Sequence, residues 1–257
     1  IRGIAQEITK GNYDISIDDS QKDDLGTIAK SLRIMTNSLQ QTFEQLHWND
    51  WRKNGLAELN AGLMGNPNLL DIGRFSLNFL VDFLKLDNGA IYVVERDLFK
   101  LKHTVGLKAL PQDERSIHVG LLAEVYTNKI PRVISDMLPD EFNLSFAQGE
   151  LQVKQIVLMP IIYQQHCIGA IEVGARNTMP QDTIEVMGDF CEIIGAAIAA
   201  AQSRGRVQQL LEETQTQTEE LQVQHAELES LNTELEAQAS KLRVSEEELR
   251  SQQEELL

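Results

Sequence analysis

The sequence predicts an α+β chain, and two observations carry that expectation. Apolar residues at helical spacing fill both ends of the 257 residues. Between them stand two pairs of neighbouring β-patterned runs, each pair joined by a few polar residues as a hairpin would be. Nothing in the pattern supplies a phosphate-cradling glycine loop, a nucleophile elbow or a kinase signature. The elements divide into three segments, 1–50, 51–202 and 203–257.

In the first segment Ile1, Ile4 and Ile8 mark the tail of a helix. "GNYD" (11–14) breaks it, and Tyr13, Ile15 and Ile17 alternate as an extended connector. Asp23 and Asp24 suit the start of a second helix, through capping and the helix dipole. Leu25, Ile28, Leu32, Met35, Leu39, Thr42 and Leu46 follow at strict 3,4 spacing, a coiled-coil seam that needs a partner helix.

In the second segment Trp51, Leu56, Leu59 and Leu63 predict a helix over about 50–64. Another runs from the "GNPN" break (65–68) to Leu86, with Ile72, Phe75, Phe79, Leu80, Phe83 and Leu84 on one face. "AIYVVE" (90–95) and "FKLKHTV" (99–105) form a hairpin across "RDL", with Phe99, Leu101, His103 and Val105 expected to face one way. "VGLLAEVYTNK" (119–129) reads as a short helix, "IPRVISD" (130–136) as a short strand, and 137–154 as irregular. "QIVLMPIIY" and "CIGAIEVGA" (167–175) close a second hairpin around "QQH", both apolar enough for central strands covered on two faces. A last helix starts after Pro180, with Ile184, Met187, Cys191, Ile194, Ile198 and Ala201 on one stripe.

The third segment reads as one helix. Val207, Leu221, Leu228, Leu235, Leu242, Leu249 and Leu256 share heptad position d, with Thr214 the polar member. Position a then holds Leu211, Thr218, His225, Asn232, Ala239, Glu246 and Gln253. Leucine at d and a buried Asn at a favour a parallel dimer in register, while so many polar a residues keep it weak. Weakness suits a relay, which needs two packings of similar energy. Continuing the preceding stripe by sevens from Ala201 gives Gln208, whereas the heptads use Val207. The seam therefore slips by one residue near Gly205, as a hinge or as ordinary helix drift.

A net charge of −16 and a pI near 4.7 argue against nucleic acid or anionic lipid as a direct partner. From Gln202 onward thirteen Glu face five Lys or Arg, the pattern of a solvated helix face. Cys167 and Cys191 form no C-x-x-C pair, which fits a reducing compartment. The longest apolar runs, 156–163 and 193–201, are about half of the ~18 residues a membrane span needs. The chain opens on Ile1 inside a helical pattern and is read as a piece of a longer protein.

"ITKGNYDISI" (8–17) and "DDLGTIAKSL" (23–32) resemble the connector and second-helix start of a HAMP domain, the dimeric four-helix relay next to membrane spans. The proline such domains carry at the start of the first helix is missing. Over 51–202 the order helix, hairpin, "IHVGLLAEVYTNKIPRVISDM" (117–137), "IVLMPIIYQQHCIGAIEVGA" (156–175) and long helix resembles a GAF domain. The telling stretches are Gly120 before a small helix ending in "TNKIPRVISD", and Pro160 followed eight residues on by Ile168-Gly169. The resemblance implies an antiparallel sheet with terminal helices on one face and a ligand pocket, or its vestige, on the other. With "GLAELNAGLMGNPNLLDIGRFSLNFLVDFLKLDNGAIYVV" (55–94), the whole resembles the middle of a membrane-bound bacterial hybrid sensor histidine kinase.

The expected function is accordingly non-catalytic: a dimeric, cytoplasmic portion of an inner-membrane protein in a two-component system. It would relay a HAMP or GAF input through a parallel homodimeric coiled coil to downstream kinase domains and a response regulator. The autophosphorylation chemistry would belong to the parent protein. The alternative is a small-molecule-binding GAF module that regulates another output, such as a diguanylate cyclase or phosphatase. The expected dimer seam is Leu25, Ile28, Leu32, Met35, Leu39, Leu221, Leu228, Asn232, Leu235, Leu242 and Leu249. His118, Tyr126, Met137, Phe142 and Phe146 are the candidate pocket residues for an unknown small ligand, or they plug the pocket as core. No cofactor and no metal are expected, with non-covalent haem on His103 or His118 the one exception weighed. His166 and Cys167 are strand neighbours that point apart and do not chelate one ion easily.

Overall fold

The computed structural model describes residues 24–107, 113–135, 143–146 and 149–255, with the backbone alone for 24–25, 143–146, 149–152, 248–249 and 252–255. The first predicted helix and its connector lie outside these residues. Two compact units divide the chain, residues 1–201 and 202–257.

The first unit opens with α1, Asp24–Gly62. Two helices meeting near residue 50 are expected from the sequence, yet there is one, because no glycine or proline lies between Gly26 and Gly55 to interrupt it. Helix α2, Leu69–Leu84, starts where the Asn68 side chain accepts the Asp71 backbone N–H at 2.9 Å, a cap of about 1 kcal/mol. It ends two residues before the expected Leu86, at Lys85 in the left-handed conformation.

Among the described residues eight strands follow, with one short helix among them. Strands β1 (Asn88–Glu95), β2 (Leu98–Val105) and β3 (Glu114–Ser116) precede α3 (Leu121–Asn128) and β4 (Arg132–Ser135). Then come β5 (Asn143–Phe146), β6 (Gly149–Gln152), β7 (Gln155–Tyr163) and β8 (His166–Ala175). The main sheet has the order β3-β2-β1-β8-β7-β4 and every neighbour pair is antiparallel. The β5–β6 pair stands apart as a two-stranded sheet in the stretch read from sequence as irregular. Both long hairpins turn on two residues with positive φ, Arg96-Asp97 and Gln164-Gln165, the backbone hand that matches strand twist.

One expectation for β2 fails. The register between β1 and β2 shifts at Ile91/Tyr92, so that Tyr92 opposes Leu101 while Ile91 opposes His103. This bulge puts Phe99 and Leu101 on one face and turns His103 and Val105 to the other.

The two faces have different company. On the inner face Ile91, Val93, Val157, Met159, Ile161, Ile171 and Val173 pack against α1, α2 and the last helix, α4 (Gln181–Glu255). Ile184, Met187, Cys191, Ile194 and Ile198 are all buried there, the stripe the 3,4 spacing predicts. Two glycines let α1 settle on α2: a side chain at Gly55 would strike Phe83, and one at Gly62 would strike Phe75. Trp51 stacks on Phe83 at 4.6 Å, and Phe190 of α4 meets Phe83 and Phe79 edge-on at 5.4 Å. Arg52 on α1 donates to Asp189 on α4 at 2.7 Å, so the incoming and outgoing helices of this unit touch directly.

In the second unit α4 continues as helix to Glu255. Gln208, Gln209 and Gln215 each donate to a Glu four residues on, and Thr214, Thr216 and Thr218 bond back to the preceding turn. Such i,i+4 pairs add a few tenths of a kcal/mol each, too little to stabilise a helix without packing.

Candidate functional site

The outer face of the sheet is built differently from the inner one. Its central positions hold Ala90 and Tyr92 on β1 and Ala170, Glu172 and Gly174 on β8, against the β-branched residues that fill the inner face. Phe99, Leu122, Val125, Val153, Ile156 and Leu158 complete a second buried cluster there, under α3. Gly120 caps α3 at φ 91 and ψ −176, a conformation essentially reserved for glycine.

Three polar groups from three strands converge on this face. Tyr92 is fully buried, and its hydroxyl has no hydrogen-bond partner among the described residues. Burial pushes its pKa up to about 12, against a smaller opposing pull from Arg115. The Arg115 guanidinium on β3 lies 5.8 Å from the Tyr92 ring centroid, over its face. Glu172 lies opposite Ala90 on one side and Leu158 on the other. Burial raises its carboxyl pKa, and Arg115 lowers it in part.

Of the residues expected to line a pocket, Tyr126 is half-buried in this cluster, edge-on to Phe99 at 5.8 Å. His118 is exposed in the turn before α3, its backbone N–H donating to Ser116 Oγ at 3.1 Å. Met137 and Phe142 lie outside the described residues, as does the side chain of Phe146 on β5. His103 faces α2 on the other side of the sheet, where burial and Arg74 lower its pKa; it cannot share a site with His118. Sequence reasoning passed over Tyr92, Arg115 and Glu172. The signal was present in Glu172, the one acid within the apolar "CIGAIEVGA".

Hydrogen bonds tie the edge of the sheet to the start of α4. The buried Gln155 donates to Ser135 Oγ at 3.2 Å and accepts the Met179 backbone N–H at 2.7 Å. Asp87 accepts the Arg176 backbone N–H at 2.8 Å and pairs with its guanidinium at 2.6 Å. Both thiols are buried and pushed upward by burial, Cys191 more than Cys167, which keeps them protonated and unreactive. Among the described residues no group of three or more His, Cys, Asp or Glu is placed to hold a metal ion.

The expected helix seams are exposed. On α1, Ile28 and Met35 are open to solvent and Leu32 and Leu39 half so, whereas Ala29 and Thr36 beside them are buried. On α4, Leu221, Leu228, Leu235 and Leu242 are 54–68% exposed, and Asn232 is exposed with them. Leu25 and Leu249 lie in α1 and α4 with their side chains outside the described set.

The family profile for the GAF domain matches residues 68–198, just over half of the chain. The fold is similar to that of a GAF domain from a phosphoenolpyruvate-protein phosphotransferase of Coxiella burnetii. That match has a TM-score of 0.51 at 17% identity over 60% of this chain and 96% of the other. The corresponding Acinetobacter domain gives 0.46 at 17% identity over 58% and 93%. A free methionine-R-sulfoxide reductase of Neisseria meningitidis, solved with its substrate, gives 0.47 at 14% identity over 60% and 91%. No curated protein matches the chain significantly. The antiparallel sheet, its helices on one face and the profile match agree: this chain belongs to the GAF domain family.

Proposed function

We propose that this chain is the dimeric sensory and signal-transmitting region of a membrane-bound sensor histidine kinase. A GAF domain is a sensory module found in many signalling proteins. Here it stands between an incoming helix, α1, and an outgoing one, α4. Input from a HAMP-like relay, a GAF ligand or both biases the packing of α4, and α4 passes the bias to a downstream autokinase. The region performs no chemistry of its own; phosphorelay to a response regulator belongs to the parent protein, whose inner membrane it would face from the cytoplasmic side. No helix among the described residues is long and apolar enough to cross a membrane.

The observation that carries this reading is the row of leucines exposed at sevenfold spacing on α4, Leu221 to Leu242. A lone helix gains nothing from such a row, whereas a second copy buries it knob into hole. The direct contact of α1 with α4, through Arg52 and Asp189 and through Gly55 beside Phe190, gives an input helix a route to the output helix. The test is a phase shift. Deleting one residue beside Gly205 in the full-length protein is expected to lock autophosphorylation high or low, and deleting seven to restore regulation. Unchanged regulation after the single deletion would overturn the reading.

A further inference from the structure

We infer that the buried Gln155 side chain couples the edge strand β4 to the start of the output helix α4, so that a displacement of either is felt by the other. The inference deepens the sensory reading above and rests on it. Gln155 is 3% exposed. It opens β7 opposite Ser135, the last residue of β4, on one side and Ala175, the last residue of β8, on the other. Its amide bonds at both ends: Nε2 donates to Ser135 Oγ at 3.2 Å, and Oε1 accepts the Met179 backbone N–H at 2.7 Å. Chemistry fixes this orientation, since a backbone N–H only donates and therefore faces the amide oxygen. The two atoms belong to one rigid plane, so Nε2 does not follow Ser135 without moving Oε1 against Met179.

The two ends of this bridge are held with different firmness. β4 stands at the edge of the main sheet with β7 beside it, and of its residues only Ile134 is half-buried, the others being exposed. Lys129, Ile130 and Pro131 join it to α3, and Arg132 of β4 lies 3.9 Å from Glu124 of α3. A short edge strand with so little covering belongs to the low-stability end of a fold. The other end is a clamped linker, residues 176–180, between β8 and α4. Asp87 accepts the Arg176 N–H at 2.8 Å, and Gln155 accepts that of Met179, whose side chain is buried in the inner core. Pro180, which has no N–H, then leads into α4 at Gln181. When β4 moves outward, Nε2 loses its acceptor in a buried place; the amide shifts to regain one, and Met179 loses its own. A change at the sheet edge thus reaches the first turn of α4 through one side chain.

The experiment is amide hydrogen exchange on the full chain, resolved to the Met179 N–H, with the β1–β2 hairpin as internal reference. Ser135→Ala removes one hydroxyl from an exposed residue and leaves the core intact. It should speed Met179 exchange about threefold to tenfold, the worth of one neutral hydrogen bond, with the hairpin unchanged. Gln155→Leu should speed it at least as much, and adding Ser135→Ala to that variant should change nothing further. Gln155→Glu should keep Met179 slow, because a carboxyl bridges in either charge state. Protonated, it donates to Ser135 as the amide does; ionised, it accepts the Ser135 hydroxyl; in both it accepts the Met179 N–H. Met179 exchange unmoved by Ser135→Ala, or moved equally in the Gln155→Leu background, would overturn the inference and make the bond a local brace. Coupled exchange in a chain whose parent ignores the deletion beside Gly205 would sink the sensory reading and keep the coupling. Uncoupled exchange with a responsive parent would sink the coupling alone.

Discussion

Tyr92 has a fully buried ring and a buried hydroxyl with no partner among the described residues, so ionising it in place is unfavourable. Its pKa is raised from 10.0 to about 12, so the neutral form is favoured more in the folded than in the unfolded chain. The stability from this group is therefore full below about pH 10 and is lost as pH rises toward about 12. Near-ultraviolet titration should show Tyr92 ionising late, together with alkaline unfolding. Tyr92→Phe should remove the late step. Gly120 offers a second check at this scale. Its φ of 91 with ψ near 180 admits no side chain without strain. Gly120→Ala should cost about 1–3 kcal/mol by chemical denaturation, although nothing lies within 4 Å of the added methyl.

Among elements, α4 approaches the sheet backbone at Gly195. A methyl at Gly195 would stand 2.7 Å from the Ile162 carbonyl oxygen, a backbone atom that cannot swing aside. Gly195→Ala should push the helix outward and destabilise the first unit by about 1–3 kcal/mol in a denaturant titration. Phe190→Ala should cost more, about 3–5 kcal/mol, because it empties the centre of the aromatic cluster. The elements most legible in the sequence were those whose pattern is local. The two hairpins, α3 and the α4 stripe announced themselves through alternation or 3,4 spacing. The β5–β6 pair did not, since "NLSFAQGELQ" carries little apolar alternation, and β3 has only three residues. The bulge in β2 was invisible because strand register, not composition, decides it. For the same reason the polar site was hidden. Tyr92, Arg115 and Glu172 are far apart in sequence and meet only because β3, β1 and β8 lie close together in one sheet.

At the scale of the whole molecule the central claim is that this chain works as a pair, and the exposed leucines are its basis. Gly205 sits within α4 with open space around it. Gly205→Ala should stabilise the helix by about 1 kcal/mol, read as helicity on heating, and should stiffen whatever change of phase passes through that point. The most direct test of the claim is disulfide cross-linking of single cysteines in the second unit. Cys167 and Cys191 are buried and contribute little background. In a parallel, in-register dimer Leu221→Cys and Leu235→Cys should each cross-link to its own copy, and the outward Ser230→Cys should not. An antiparallel pair could link at one of the two leucine positions at most, and a monomer at neither. Efficient cross-linking at both positions is the predicted result; failure at either, or equal linking through Ser230→Cys, would contradict it.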